Sequence, residues 1–129
     1  NNTIPLFEPE KKLHKLIMKI KTNSLEPGEP KDPAGCTLFE IYQAFATENE
    51  TKALKTRYAS GIAWGEMKQF LFEYLNDQLA KPRERYGELM ADPAHIEAVL
   101  KQGAEKARKL SKPFLQEIRE AVGIRKLGG

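Results

Sequence analysis

The sequence predicts an all-α fold, a helical bundle with two long helices and a proline-rich connector near its start. Three observations predict it. Apolar residues recur at i, i+3, i+4, i+7 spacing in several windows, beginning with Leu13, Leu16, Ile17 and Ile20. No segment shows sustained period-two alternation, and no Asn-Gly or Asp-Gly hairpin pair occurs. Helix start and stop signals punctuate the chain at Pro9, Ser60-Gly61 and Asp92-Pro93. The 129 residues suffice for one domain with a core but not for two ordinary ones. With 40% apolar and 30% charged residues the chain is neither disordered nor membrane-embedded in character.

Taken from the start, residues 1–7 read as an extended loop. Glu8-Pro9-Glu10 is a helix start, with proline at the first helical position and carboxylates at the positive end of the helix dipole. Leu13, Leu16, Ile17 and Ile20 form the buried face of this helix, Lys12, Lys15 and Lys19 lie opposite, and Thr22-Asn23-Ser24 stops it. Glu26 to Gly35 holds Pro27, Pro30, Pro33 and two glycines, which excludes helix and central strand. It is expected to be a stiff surface strap, because proline fixes its own backbone angle. Thr37 is predicted to cap a short helix, with Glu40 completing a capping box and Leu38, Ile41, Tyr42 and Phe45 on the helix. Thr51 is predicted to cap the next, which carries Leu54 and Tyr58 and ends at Ser60-Gly61.

A long amphipathic run then begins near Gly65, with Met67, Phe70, Leu71, Tyr74, Leu75, Gln78 and Leu79 on one face, resuming at Tyr86, Leu89 and Met90. Pro82 predicts a kink there, or two helices meeting. Asp92-Pro93 caps and starts the last long helix, whose predicted buried side is Ile96, Val99, Leu100, Gly103, Ala107 and Leu110. Pro113 predicts a second kink, beyond which Leu115, Ile118 and Val122 continue to Gly123, and Ile124 to Gly129 is expected to fray.

Several chemistries are excluded because their residues are missing. No apolar run can span a bilayer and no secretory segment opens the chain, so no membrane partner is expected. The single Cys36 has no partner for a disulfide or a zinc site, which suits a reducing, cytoplasmic location. His14 and His95 are far apart, with no carboxylate or cysteine at metal-ligand spacing, and read as solvated or packed histidines. Nothing beside Cys36 would activate its thiol. Gly61 and Gly65 lack the Gly-Lys-Ser/Thr ending of a phosphate-cradling loop. Glu66, Glu73 and Asp77 read as solvated helix charges. The residues themselves therefore assign no catalytic, cofactor-binding or metal-binding position.

Charge is uneven. Residues 1–51 hold six Lys/Arg against eight Asp/Glu, whereas the remaining residues hold 15 against 10. A basic second half fits a polyanionic partner. On the last helix, with Ile96 at zero, Lys101, Arg108, Lys112 and Lys109 fall at about 140°, 120°, 160° and 220°, opposite the apolar stripe. Such a ridge can neutralise backbone phosphates, so Lys101, Arg108, Lys109 and Lys112 are the candidate nucleic-acid-binding residues. The competing account is a solvated face held by Glu97–Lys101, Lys101–Glu105 and Glu105–Lys109 pairs. A second cluster, Lys81 to Tyr86, sets cations beside an aromatic that is either core or a base-stacking platform.

Three stretches carry a family resemblance. Arg83-Glu84-Arg85-Tyr86, Leu89, Asp92-Pro93, Val99-Leu100 and Gly103 to Arg108, ending in Glu117 to Ile124, resemble the C-terminal helices of bacterial tryptophan–tRNA ligases. Glu26 to Pro33 with Leu38-Phe39-Glu40-Ile41-Tyr42 resembles the segment joining that family's nucleotide-binding core to those helices. Asn1 to Phe7 resembles the stretch just after the family's Lys-Met-Ser-Lys-Ser loop. The resemblance implies a class I aminoacyl-tRNA synthetase that activates tryptophan with ATP and magnesium and charges tRNA(Trp), as a homodimer. It implies that residues 1–35 come directly after the signature loop and that residues 36–129 form the anticodon-recognition domain. It also implies that this stretch holds no cofactor itself, since the parts that bind tryptophan and ATP are not among its residues. The alternatives are a free-standing helical module that binds protein or RNA, including an RNA-chaperone-like binder.

Overall fold

The computed structural model describes residues 3–124, and among these it is all-α, with five helices and no strand. They are α1 (Glu10–Met18), α2 (Thr37–Gln43), α3 (Glu48–Ala59), α4 (Trp64–Ala91) and α5 (Pro93–Ala121). The chain divides into two compact units, residues 1–86 and 87–129. The 35/36 boundary expected from the sequence falls inside the first of them.

The buried core belongs to the first unit. Leu13 and Ile17 of α1, Leu38, Phe39 and Tyr42 of α2, and Leu54 and Tyr58 of α3 meet Met67, Leu71, Phe72, Leu75 and Leu79 of α4. The first half of α4 is the centre on which the shorter helices pack. Tyr42 reaches it through ring contacts with Phe70 and Tyr74, at 5.3 and 4.7 Å between centroids. Lys68 donates from Nζ to the Met18 carbonyl at 3.1 Å, capping the end of α1. Arg57 bridges α3 to α4, with Nη2 2.7 Å from Glu66 and its guanidinium 4.5 Å from the Phe70 ring centroid.

Several local expectations are corrected. Pro9 is the N-cap of α1, not its first residue, and its carbonyl accepts from Lys12 and Leu13. Cys36, not Thr37, precedes α2, and no side chain caps that helix. The capping box belongs to α3 instead: Thr47 Oγ1 accepts from the Glu50 amide while Glu50 Oε2 accepts from the Thr47 amide at 2.7 Å. Thr47-Glu48-Asn49-Glu50 is the signature spacing. Thr51, the predicted cap, lies inside α3, and its hydroxyl donates to the Thr47 carbonyl at 2.9 Å. Two helices do not meet at Pro82: α4 continues through it, as α5 does through Pro113. A proline forfeits one hydrogen bond, and the flanking turns carry the helix past it.

The connector closes against the α3–α4 corner. Gly61 ends α3 at φ +85°, the left-handed conformation that glycine adopts without strain. Its carbonyl accepts from the Gly28 amide at 2.8 Å. A Cβ on Gly61 would overlap the Gly28 backbone, so the missing side chain at Gly61 permits this approach. The expected fraying beyond Ile124 lies outside the described residues.

Candidate nucleic-acid interface

Helix α5 starts as its sequence dictates. Asp92 accepts from the His95 amide at 3.0 Å, and Pro93 occupies the first turn, where its missing N–H costs nothing. From there 29 residues continue without a break. Lys101, Arg108, Lys109 and Lys112 are all exposed along it. They span about 16 Å of helix axis. Lys101 is paired with Glu97 at 2.8 Å, an exposed i,i+4 pair. The expected Lys101–Glu105 and Glu105–Lys109 pairs do not form within ion-pair distance among the described residues. Arg108, Lys109 and Lys112 therefore remain unneutralised there, and the solvated-pair account covers only one end of the ridge.

The opposite face of α5 is not what periodicity predicted. None of its described residues is buried: Leu100 is 67% exposed, Leu110 80% and Phe114 64%. Ile96, Val99, Leu100, Gly103, Ala107 and Leu110 do make one apolar stripe, but it covers no core. The 3.6-residue period says that a face is suited to burial, not that a covering surface is present.

The second cluster sorts differently. Tyr86 stacks on Phe7, with centroids 5.0 Å apart and planes at 25°, so one ring face is already occupied. It is 43% exposed, hence not core. Arg83 is turned toward its own helix, where Nη1 donates to Asn76 at 2.9 Å.

His14 Nε2 lies 3.4 Å from Gln69 Oε1, and its ring meets Phe72 edge-on at 4.7 Å. Cys36 Sγ is 3.4 Å from the Tyr58 hydroxyl. Burial, then that hydrogen bond, pushes the phenol above its ordinary range, which keeps it neutral. No group of three or more His, Cys, Asp or Glu among the described residues can hold a metal ion. No described helix is long and apolar enough to cross a membrane.

The chain is 54% identical over 126 residues, 98% of its length, to a tryptophan–tRNA ligase of Neisseria meningitidis. It is 49% identical over 98% of its length to the Pseudomonas aeruginosa tryptophan–tRNA ligase. The crystal structure of tryptophanyl-tRNA synthetase from Campylobacter jejuni superposes on 95% of the chain with a TM-score of 0.80 and 39% identity. The chain belongs to the tryptophan–tRNA ligase family. It corresponds to a part of such an enzyme: it spans 38% of the Neisseria protein, 28% of the Pseudomonas protein and 40% of the Campylobacter chain. No family model matches it. Another Campylobacter jejuni crystal structure is of the synthetase complexed with ADP and tryptophan, and it matches this chain with a TM-score of 0.81.

Proposed function

We propose that the chain is the helical, tRNA-recognising part of a tryptophan–tRNA ligase, whose intact form activates tryptophan with ATP and transfers it to tRNA(Trp). The observation that carries this reading is the 54% identity sustained over 98% of the chain. Residues 1–35 are the segment after the signature loop, and residues 36–129 are the anticodon-recognition domain. The intact enzyme works in the cytoplasm as a homodimer. On this reading ATP and magnesium belong to the part of the enzyme outside this chain.

Lys101, Arg108, Lys109 and Lys112 are the residues that contact the tRNA. Each ammonium or guanidinium that neutralises a phosphate releases a condensed counterion, so the ridge contributes affinity without reading sequence. The chain alone is expected to bind tRNA but to be inert in tryptophan-dependent pyrophosphate exchange. Exchange by the purified chain would overturn the division of labour. In the intact enzyme, replacing all four cations by glutamine should raise the KM for tRNA. It should also flatten the salt dependence by up to about one ion for each phosphate no longer neutralised. An unchanged KM at physiological salt would return α5 to a solvated helix face.

A further inference from the structure

A second cationic surface lies on the first unit. Lys11, His14 and Lys15 stand on one side of α1, at i, i+3 and i+4, around an open cleft of about 320 Å³. Glu10 of α1 and Phe72 of α4 complete its lining. His14 is held edge-on against Phe72 and hydrogen-bonded to Gln69, whose amide in turn donates to Glu73 at 2.7 Å. The acids nearby are mostly committed: Glu8 pairs with Lys12 at 2.7 Å and Glu73 accepts from Gln69. Neither Lys11 nor Lys15 has a carboxylate within ion-pair distance among the described residues.

Fold stability does not account for Lys11. It sits in the first turn of α1, where the helix dipole disfavours a cation, and one turn from Lys15, a like-charge i,i+4 pair. Lys15, in the last turn, is favoured by the dipole. A phosphate between the two ammonium groups, whose Cβ atoms stand about 6 Å apart on the helix surface, reverses both penalties at Lys11. The half-buried ring of His14, backed by the buried Phe72, gives an apolar wall for a ribose or base.

We infer that this cleft between α1 and α4, built from Lys11, His14, Lys15 and Phe72, is a further RNA-binding site that takes one sugar–phosphate stretch of the tRNA. The inference rests on the tRNA-binding reading above. Its test separates the two. Labelled tRNA(Trp) transcript is titrated into the 129-residue chain across a salt series. The parent is compared with a Lys11→Gln/Lys15→Gln variant, a Lys11→Arg/Lys15→Arg variant and the α5 quadruple glutamine variant. Both lysines are exposed, and circular dichroism checks that the helices persist. The glutamine pair is expected to lower affinity about 10-fold at 0.1 M salt and to flatten the log–log salt slope by about 1.4 to 1.8, while the arginine pair binds like the parent. Backbone amide shifts at residues 10–15 and 72 should respond to a short single-stranded RNA and not to an equal concentration of inorganic phosphate.

Unchanged affinity and slope in the glutamine pair, with weakened binding in the α5 variant, overturns the cleft and leaves the tRNA reading standing. Equal loss in the arginine and glutamine pairs overturns a phosphate role, and an equal response to inorganic phosphate reduces the cleft to a general anion site and overturns the RNA assignment. Absence of any RNA binding by the parent chain overturns both readings.

Discussion

The ammonium of Lys31 lies 5.4 Å from the centroid of the Trp64 ring, and it donates to the carbonyls of Glu26 at 2.8 Å and Glu29 at 3.0 Å. Lys31 is only 4% exposed, and no carboxylate lies within ion-pair distance among the described residues. A buried cation is tolerated here because two carbonyl dipoles and an aromatic face replace its water. Trp64 is fixed in turn by its Nε1, which donates to Asn23 at 2.9 Å, and the Lys31 amide donates to the Tyr58 carbonyl at 2.9 Å. The connector is thus tied down at both sides of its single lysine.

Lys31→Met keeps the aliphatic stem but leaves two carbonyls unpaired. It should cost about 1.5–3 kcal/mol in urea denaturation of the chain, the range for hydrogen bonds to a charged group. It should also expose the 26–35 segment to limited proteolysis. Replacing Pro27, Pro30 and Pro33 together by alanine is expected to raise cleavage less, because proline acts mainly by restricting the unfolded chain. If the triple variant is cut as fast as Lys31→Met, the prolines hold the strap and the lysine cage does not.

The Thr47–Glu50 box gives the first unit a pH dependence. Hydrogen bonds from Thr47, side chain first and then backbone, hold the Glu50 carboxyl below its ordinary value. A carboxyl depressed by folding binds its proton less readily in the folded state than in the unfolded one. Its contribution is therefore complete above the ordinary carboxylate range and is lost as pH falls through the lowered folded value. Thr47→Ala should cost about 1 kcal/mol at neutral pH, the usual cap loss. The cost should shrink toward acid pH, measured by denaturation at matched ionic strength. A penalty independent of pH would mean that the hydroxyl acts without its carboxylate partner.

Leucines on the two units should respond unequally to truncation. Leu71 is fully buried among the helices of the first unit, whereas Leu110 is 80% exposed on α5. Leu71→Ala is expected to cost about 2–5 kcal/mol by the transfer-plus-cavity rule. Leu110→Ala should change the chain's stability by less than about 0.5 kcal/mol, as an exposed substitution does. Comparable losses in thermal or urea unfolding would show that α5 buries its apolar stripe in solution.

The order of residues alone carried the local and periodic features. The all-α class, the positions of four helices to within a few residues, Gly61 as a helix terminator and the Asp92-Pro93 start all derive from spacing and cap chemistry, which act within a turn or two of chain. The family resemblance and the common face of Lys101, Arg108, Lys109 and Lys112 were equally legible, since a helix maps residue number onto angle. The Thr47–Glu50 box was present in the sequence but hidden among competing Thr-x-x-Glu-like starts. Which amphipathic stripes find a surface to bury against was settled by tertiary packing. Met67, Leu71 and Leu75 meet α1, α2 and α3, whereas Val99, Leu100 and Leu110 carry the same pattern and remain exposed. The pairing of Lys31 with Trp64 and of His14 with Gln69 also lay beyond the sequence, because side chains 33 and 55 residues apart meet only once the chain between them has folded. Periodicity specifies a face, and burial requires a second body to cover it.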